Sequence, residues 1–193
     1  MTDSSPAVRR GMALHGAGAP SPWVMRALRW LPRGARVLDV ASGHGRHARA
    51  AESLGMTATA VDRDAAALAA IGGSTTCVVA DLEADPIPFA AASFDAVIVT
   101  NYLFRPRFSE LCGLLAPRGL LIYETFAVGN EAYGRPSNPD FLLRSGELFD
   151  RCIAGGLRVL AFEDGVAVSG RKARIQRVLA VEPSADLESF AIE

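Results

Sequence analysis

RVLDVASGHGRHARA, Arg36 to Ala50, passes from strand through a tight turn into helix. Arg36 to Val40 has the apolar, β-branched character of a buried strand, Ala41-Ser42-Gly43-His44-Gly45 is a turn dominated by small residues, and Arg46 onward reads as helix. A strand that turns directly into a helix leaves the first helical amides unpaired and available to an anionic or polar ligand edge. Glycine at 43 and 45 lets the backbone take unusual dihedrals and lets a ligand come close. Such a cradle suits a nucleotide. Gly43-x-Gly45-x-x-Ala48 also satisfies the glycine-rich fingerprint of nicotinamide-binding domains, a weak signal alone. Asp39 argues against that use. A carboxylate inside an apolar strand is costly to bury without a partner, and a dehydrogenase fingerprint has no need of one.

Two further strands end in acids. His47 to Leu54 continues the helix until Gly55, and Thr57 to Val61 is a short β-rich run ending in Asp62. A carboxylate about twenty residues beyond the glycines can accept hydrogen bonds from two ribose hydroxyls. The alternative for Asp62 is a helix cap for Ala65 to Ile71, a task that Asp64 fills equally well. Thr76 to Ala80 precedes Asp81 and Leu82. Phe94 to Thr100 is a near-continuous apolar run of the kind buried in a parallel sheet, and Asn101, Tyr102 and Arg105 follow it. Open α/β sheets bind ligands beyond the carboxyl ends of their strands, which puts these three near a substrate. Phe108 to Leu115 reads as helix and Leu120 to Phe126 as a fifth strand. Within it Glu124 is either paired with an arginine or turned toward the cleft. The alternation predicts one doubly wound α/β domain.

The 193 residues suit a single domain with a real core. Half are hydrophobic and 21% charged, the balance of a globular protein. A formal net charge of −1 predicts no general attraction to nucleic acid or an anionic membrane. No run is long enough for a membrane helix and the N-terminus lacks a signal-peptide core, so a cytoplasmic location is expected. Cys77, Cys112 and Cys152 lie far apart among apolar neighbours. They read as buried free thiols, with no metal site expected.

At the periphery, residues 1–18 read as a flexible arm, 19–182 as the domain and 183–193 as an acidic tail. Ser21-Pro22 is a helix start, with Trp23, Val24, Ala27, Leu28 and Leu31 on one face. Ala127 to Leu142 is a long aromatic loop and a candidate substrate wall. Ser145 to Ala154 suggests a helix, and Leu157 to Phe162 with Ala173 to Val181 suggests an antiparallel pair. Arg171, Lys172, Arg174 and Arg177 read as a solvated turn that shields an edge strand.

V-L-D-V-A-S-G-H-G, Val37 to Gly45, resembles the first motif of the class I S-adenosylmethionine-dependent methyltransferases, in which the acid and small residues lie beneath the methionine part of the cofactor. Ala41 departs from it, standing where that family most often has its first glycine. S-F-D-A-V-I-V-T-N-Y, Ser93 to Tyr102, resembles the fourth motif, whose end faces the reacting methyl group, and L-x-P-x-G-L-L from Leu115 is similar to the family's approach to strand five. The resemblance covers Val37 to Phe126. It implies a Rossmann-like, mostly parallel seven-stranded sheet with an antiparallel C-terminal strand. S-adenosyl-L-methionine would be held by Asp39, Ala41, Ser42, Gly43, Gly45, Asp62, Arg63, Asp81, Leu82 and Asn101. Of these, Asp81 would meet the exocyclic amine of adenine and the Leu82 amide its ring.

G-H-G-R-H-A with the later N-Y-L-F-R-P resembles the small bacterial methyltransferases of the tellurite-resistance type. That implies a small acceptor, with thiols and chalcogen oxyanions among the candidates. Tyr102, Arg105, Tyr133 and Arg135 are the expected substrate residues. Arg105, Arg107 or Arg135 would hold an anionic nucleophile, and Tyr102 or Glu124 would take a proton from a hydroxyl or amine. Two alternatives stand beside this one: a non-catalytic binder of the same cofactor, and an NAD(P)-dependent oxidoreductase, which leaves Asp39 and Asp81 unexplained. Nucleic-acid modification through the 171–177 cluster would require salt-sensitive RNA binding, and the near-neutral charge argues against it.

Overall fold

The computed structural model describes residues 18–168 and 171–190. The expected N-terminal arm lies outside these residues except for Gly18. Helix α1 (Pro22–Leu28) starts as the sequence predicts: Ser21 Oγ accepts the Trp23 amide and Pro22 takes the first helical position. The chain continues through β1 (Arg36–Val40), α2 (Arg46–Ser53), β2 (Thr57–Asp62), α3 (Ala65–Ala69), β3 (Thr76–Val79) and β4 (Phe94–Thr100). Then come α4 (Phe108–Gly113), β5 (Leu115–Phe126), α5 (Glu147–Ala154), β6 (Arg158–Ala167) and β7 (Ala173–Val181).

The strands form one seven-stranded sheet in the order β3-β2-β1-β4-β5-β7-β6. β1 to β5 run parallel, and β7 is antiparallel to both β5 and β6. Alternation along each strand divides the core between the two faces. Val37, Ala60, Ile98 and Ile122 pack under α1, α2 and α3, whereas Leu38, Val61, Val99 and Tyr123 pack under α4 and α5. Burying each large aliphatic side chain contributes roughly 1.5–3 kcal/mol. Asp39 belongs to the α2 face by the same alternation, and this brings its carboxylate to the start of that helix.

Several expectations are corrected. β5 begins at Leu115, not Leu120: Leu115 pairs with Phe94 and Leu120 with Ala96, and the register shift between them places Pro117 in an irregular, exposed stretch. Cys77 is exposed because β3 is an edge strand; Cys112 and Cys152 are buried as expected. The start of the acidic tail packs against the domain. Ala185 is buried, Leu187–Ser189 forms a 3-10 turn, and Phe190 meets the Trp30 ring edge-on at 5.5 Å. Half of the basic cluster is spent on contacts within the fold: Arg174 pairs with Asp164, and Arg177 bonds Glu163 at 2.6 Å while stacking on Trp23, whereas Arg171 and Lys172 are exposed as expected.

Candidate functional site

The strand order reverses between β1 and β4, so the turns after β1, β2, β3 and β4 open a crevice at that switch point. In the turn after β1, Ala41, Gly43 and Gly45 have φ of 50°, 53° and 65°. For Ala41 the left-handed conformation costs about 1–2 kcal/mol, and glycine is the residue suited to it. Gly45 is required twice over, since a Cβ there would lie 2.5 Å from Ile71 Cδ1.

The three acids reach this end of the sheet in different states. Asp39 is 1% exposed; its Oδ2 accepts the Ala48 amide at 3.0 Å, while its Oδ1 is buried without a hydrogen bond. Burial pushes its pKa up to about 7, against the opposing pull of the Ala48 amide and Arg46. Asp62 Oδ2 accepts the Gly43 amide at 2.7 Å, tying the end of β2 to the cradle. Asp64, not Asp62, caps α3 by accepting the Ala66 and Ala67 amides. Asp81 accepts the Glu83 amide at 3.0 Å and faces Arg63 at 3.9 Å.

Ala41, Asp62, Arg63, Asp81, Leu82 and Tyr102 line one cavity of about 170 Å³. Ala80 and Glu83 line it too, and sequence reasoning missed both; nothing in the local pattern marks them. Asn101 stands exposed at the tip of β4, its amide bonded to the Glu124 carbonyl at 3.0 Å. The Tyr102 hydroxyl is buried with no partner, and its pKa is raised by burial first and then by Glu83 and Asp81. The phenol therefore keeps its proton at neutral pH.

Of the expected substrate residues, Tyr102 lines this cavity, whereas Arg105, Tyr133 and Arg135 do not. Arg105 donates to both carboxylate oxygens of Glu147, at 2.7 and 2.9 Å, and to the carbonyls of Asp140 and Leu142, at 2.7 Å each. Four of its five N–H groups are thus committed to the protein, making it a clamp between α5 and the 127–142 segment. That segment is itself folded: buried Asn130 donates to the Pro136 carbonyl and accepts the Arg174 amide. Tyr133 lies under the Lys172 ammonium, and Arg135 is exposed without an acidic partner among the described residues. Arg107 pairs with Glu110. Glu124 opposes Thr100 across the strand ends and pairs with Arg177 at 3.5 Å, resolving its two expected states toward the arginine.

A nucleotide-type ligand with a polar amino-acid end fits these residues. The Asp39 Oδ1, Ser42 Oγ and Tyr102 hydroxyl are buried polar atoms without hydrogen bonds. Each such group costs about 1–3 kcal/mol unless something pairs with it. Among the described residues no cluster of metal-ligating side chains occurs and no helix is long and apolar enough to cross a membrane.

A methyltransferase domain family matches residues 38–123, from β1 into β5. Among solved structures, TehB from Haemophilus influenzae is 16% identical with a TM-score of 0.70, over 87% of this chain and 64% of that one. A methyltransferase from Methanosarcina mazei is 15% identical with a TM-score of 0.66, over 85% and 98%. A TehB-like methyltransferase from Corynebacterium glutamicum is 18% identical with a TM-score of 0.62, over 84% and 89%. No curated protein sequence matches. The family match thus runs from the first strand of the crevice into the fifth, and the chain shares the fold of these S-adenosylmethionine-dependent methyltransferases along most of its length.

Proposed function

We propose that the crevice holds S-adenosylmethionine between the Asp39 cradle and the Asp62 and Asp81 turns, and that the chain methylates a small-molecule acceptor. The observation that carries this is the convergence of Asp62, Asp81, Leu82 and the Ala41 turn on one cavity. Asp62 would take the ribose hydroxyls, Asp81 and the Leu82 amide the adenine edge, and Ala41 to Gly45 with Asp39 the methionine end. Arg63, at the cavity wall, and Asn101, at the tip of β4, would complete it. When bound, the cofactor supplies a methyl group activated by a sulfonium that leaves as a neutral thioether. The chain's own residues then have to exclude water and align the acceptor, worth several kcal/mol of barrier.

The Tyr102 hydroxyl donates to whatever polar atom enters beside it, and its missing hydrogen bond is restored by that contact. Glu124, the carboxylate candidate for taking a proton from a hydroxyl or amine, is paired with Arg177 at 3.5 Å and lies outside the cavity lining. A thiol or chalcogen-oxyanion acceptor is supported by the G-H-G-R-H-A and N-Y-L-F-R-P phrases and by the two TehB-type neighbours. Three unpaired cysteines suit a cytoplasmic enzyme, where thiols stay reduced.

Calorimetric titration with S-adenosylhomocysteine, with NADH and NADPH in parallel, tests the cofactor. Micromolar binding of the first alone is expected, and Asp62→Ala weakens it by more than tenfold. Equal affinity in that variant removes Asp62 from the site, and binding of a nicotinamide instead overturns the whole reading. Acceptors are then screened from thiols and selenium or tellurium oxyanions.

A further inference from the structure

His47 is a buried titratable group without a task in the crevice as described. It lies in the first turn of α2, 1% exposed, with both ring nitrogens facing polar atoms. Nε2 is 3.1 Å from the backbone nitrogen of Ser21. A backbone N–H only donates, so Nε2 must be the unprotonated acceptor. The neutral ring then carries its proton on Nδ1. Burial, helped by Arg46, pushes the pKa of His47 down to about 3, so the ring is neutral at working pH. The Nδ1–H faces the gap between Thr100 Oγ1, at 3.4 Å, and Asp39 Oδ1, at 3.9 Å. That Oδ1 is the carboxylate oxygen left buried without a hydrogen bond.

We propose that His47, as the Nδ1–H tautomer, is a positioning residue that keeps the Asp39 carboxylate ionised and oriented toward the ammonium of the cofactor's methionine end. The inference rests on the cofactor assignment above. Asp39 is faced from α2 by His47, by the His47 and Ala48 amides and by Arg46, and from β2 by Asp62; on β4 its neighbour is the apolar Ile98, and Thr100 meets the His47 ring. Burial and Asp62 oppose its charge; the amides and Arg46 favour it. An N–H dipole 3.9 Å from Oδ1, acting through space rather than as a hydrogen bond, adds to the favourable side at the point where the balance is close. Cofactor affinity is then complete above neutral pH and falls as Asp39 protonates, by about tenfold for each unit below its pKa. His47 also joins the start of α1 to the cradle through Ser21, and the two ring nitrogens perform separable tasks.

Two variants separate them. Asparagine places an N–H near the Nδ1 position but does not reach Ser21; glutamine reaches Ser21 with its carbonyl but leaves no donor at the Nδ1 position. The Asp39 carboxyl carbon is followed by ¹³C NMR from pH 5 to 9 in the wild type, His47→Asn and His47→Gln, with S-adenosylhomocysteine affinity measured across the same range. His47→Gln should raise the Asp39 midpoint by about one unit, which is about fivefold in affinity at pH 7 and about tenfold at pH 6, with little change in melting temperature. His47→Asn should keep the midpoint and melt earlier. ¹⁵N NMR of the wild type should show a protonated Nδ1 and a bare Nε2. A protonated Nε2, or an Asp39 midpoint equal in all three proteins, overturns the proposal. Should a variant not fold, the ¹⁵N measurement decides. Failure of the wild type to bind S-adenosylhomocysteine at pH 9 removes the cofactor assignment instead, and the ¹³C titration still reports on His47 and Asp39.

Discussion

Replacing Arg105 with methionine separates a clamp from a substrate-binding residue. Methionine keeps most of the aliphatic stem and removes only the guanidinium. Two charge-assisted bonds to Glu147 and two bonds to the Asp140 and Leu142 carbonyls are lost. Glu147 retains Arg151 at 2.7 Å and the Arg144 amide at 3.0 Å, so its carboxylate is not stranded. Charge-assisted bonds are worth about 1.5–3 kcal/mol and neutral ones about 1. Discounting the Glu147 term for the surviving partners and the exposed Asp140 bond for water, the loss is about 3 kcal/mol. For a chain of this length that lowers the melting temperature by roughly 6–12 °C.

The pH dependence is a second, independent check. Burial works to raise the Glu147 pKa, but Arg105, the Arg144 amide and Arg151 outweigh it and hold the carboxyl near 2, below its ordinary value of 4.5. A group depressed in the folded state stabilises above its unfolded pKa and loses that contribution as pH falls through the folded one. The difference between wild type and Arg105→Met should therefore be full at pH 7 and shrink between pH 4.5 and 2. Urea denaturation at pH 7 and pH 3 measures it, with hydrogen exchange across residues 139–147 localising the loosening. A loss under about 0.5 kcal/mol with no pH dependence, or a weakened acceptor KM with unchanged stability, would refute the clamp and return Arg105 to the substrate.

Ala41→Gly should stabilise the protein by up to about 1 kcal/mol, because relief of the left-handed strain exceeds the added freedom of the unfolded chain; a loss of stability in denaturant titration would mean the Ala41 methyl packs better than its φ suggests. Thiol titration with a disulfide reagent at pH 8 should show one fast cysteine, exposed Cys77, and two that react only on unfolding, since burial pushes Cys112 and Cys152 up to about 12. Two fast thiols would show that the α4 and α5 face opens readily.

Most of the crevice was legible because its signals are local. A strand, a run of small residues and a helix follow one another within Arg36 to Ala50, and acids at the ends of successive strands fall at the carboxyl edge of any parallel sheet. Periodicity also assigned the strand cores, since alternation and helical spacing are written in consecutive residues. Boundaries failed where tertiary pairing overrode local preference, as at Leu115. Partners were beyond reach for a different reason. Arg105 and Glu147 are 42 residues apart, Ser21 and His47 are 26 apart, and Glu124 finds Arg177 across a strand pair. Sequence spacing says which way a side chain points from its own element. Which group waits there depends on sheet order, register and the docking of α1 and α5. The sequence therefore determined the cradle and its acids; tertiary packing alone decided that Arg105 is a clamp, that Cys77 is exposed and that His47 is buried between Ser21, Thr100 and Asp39.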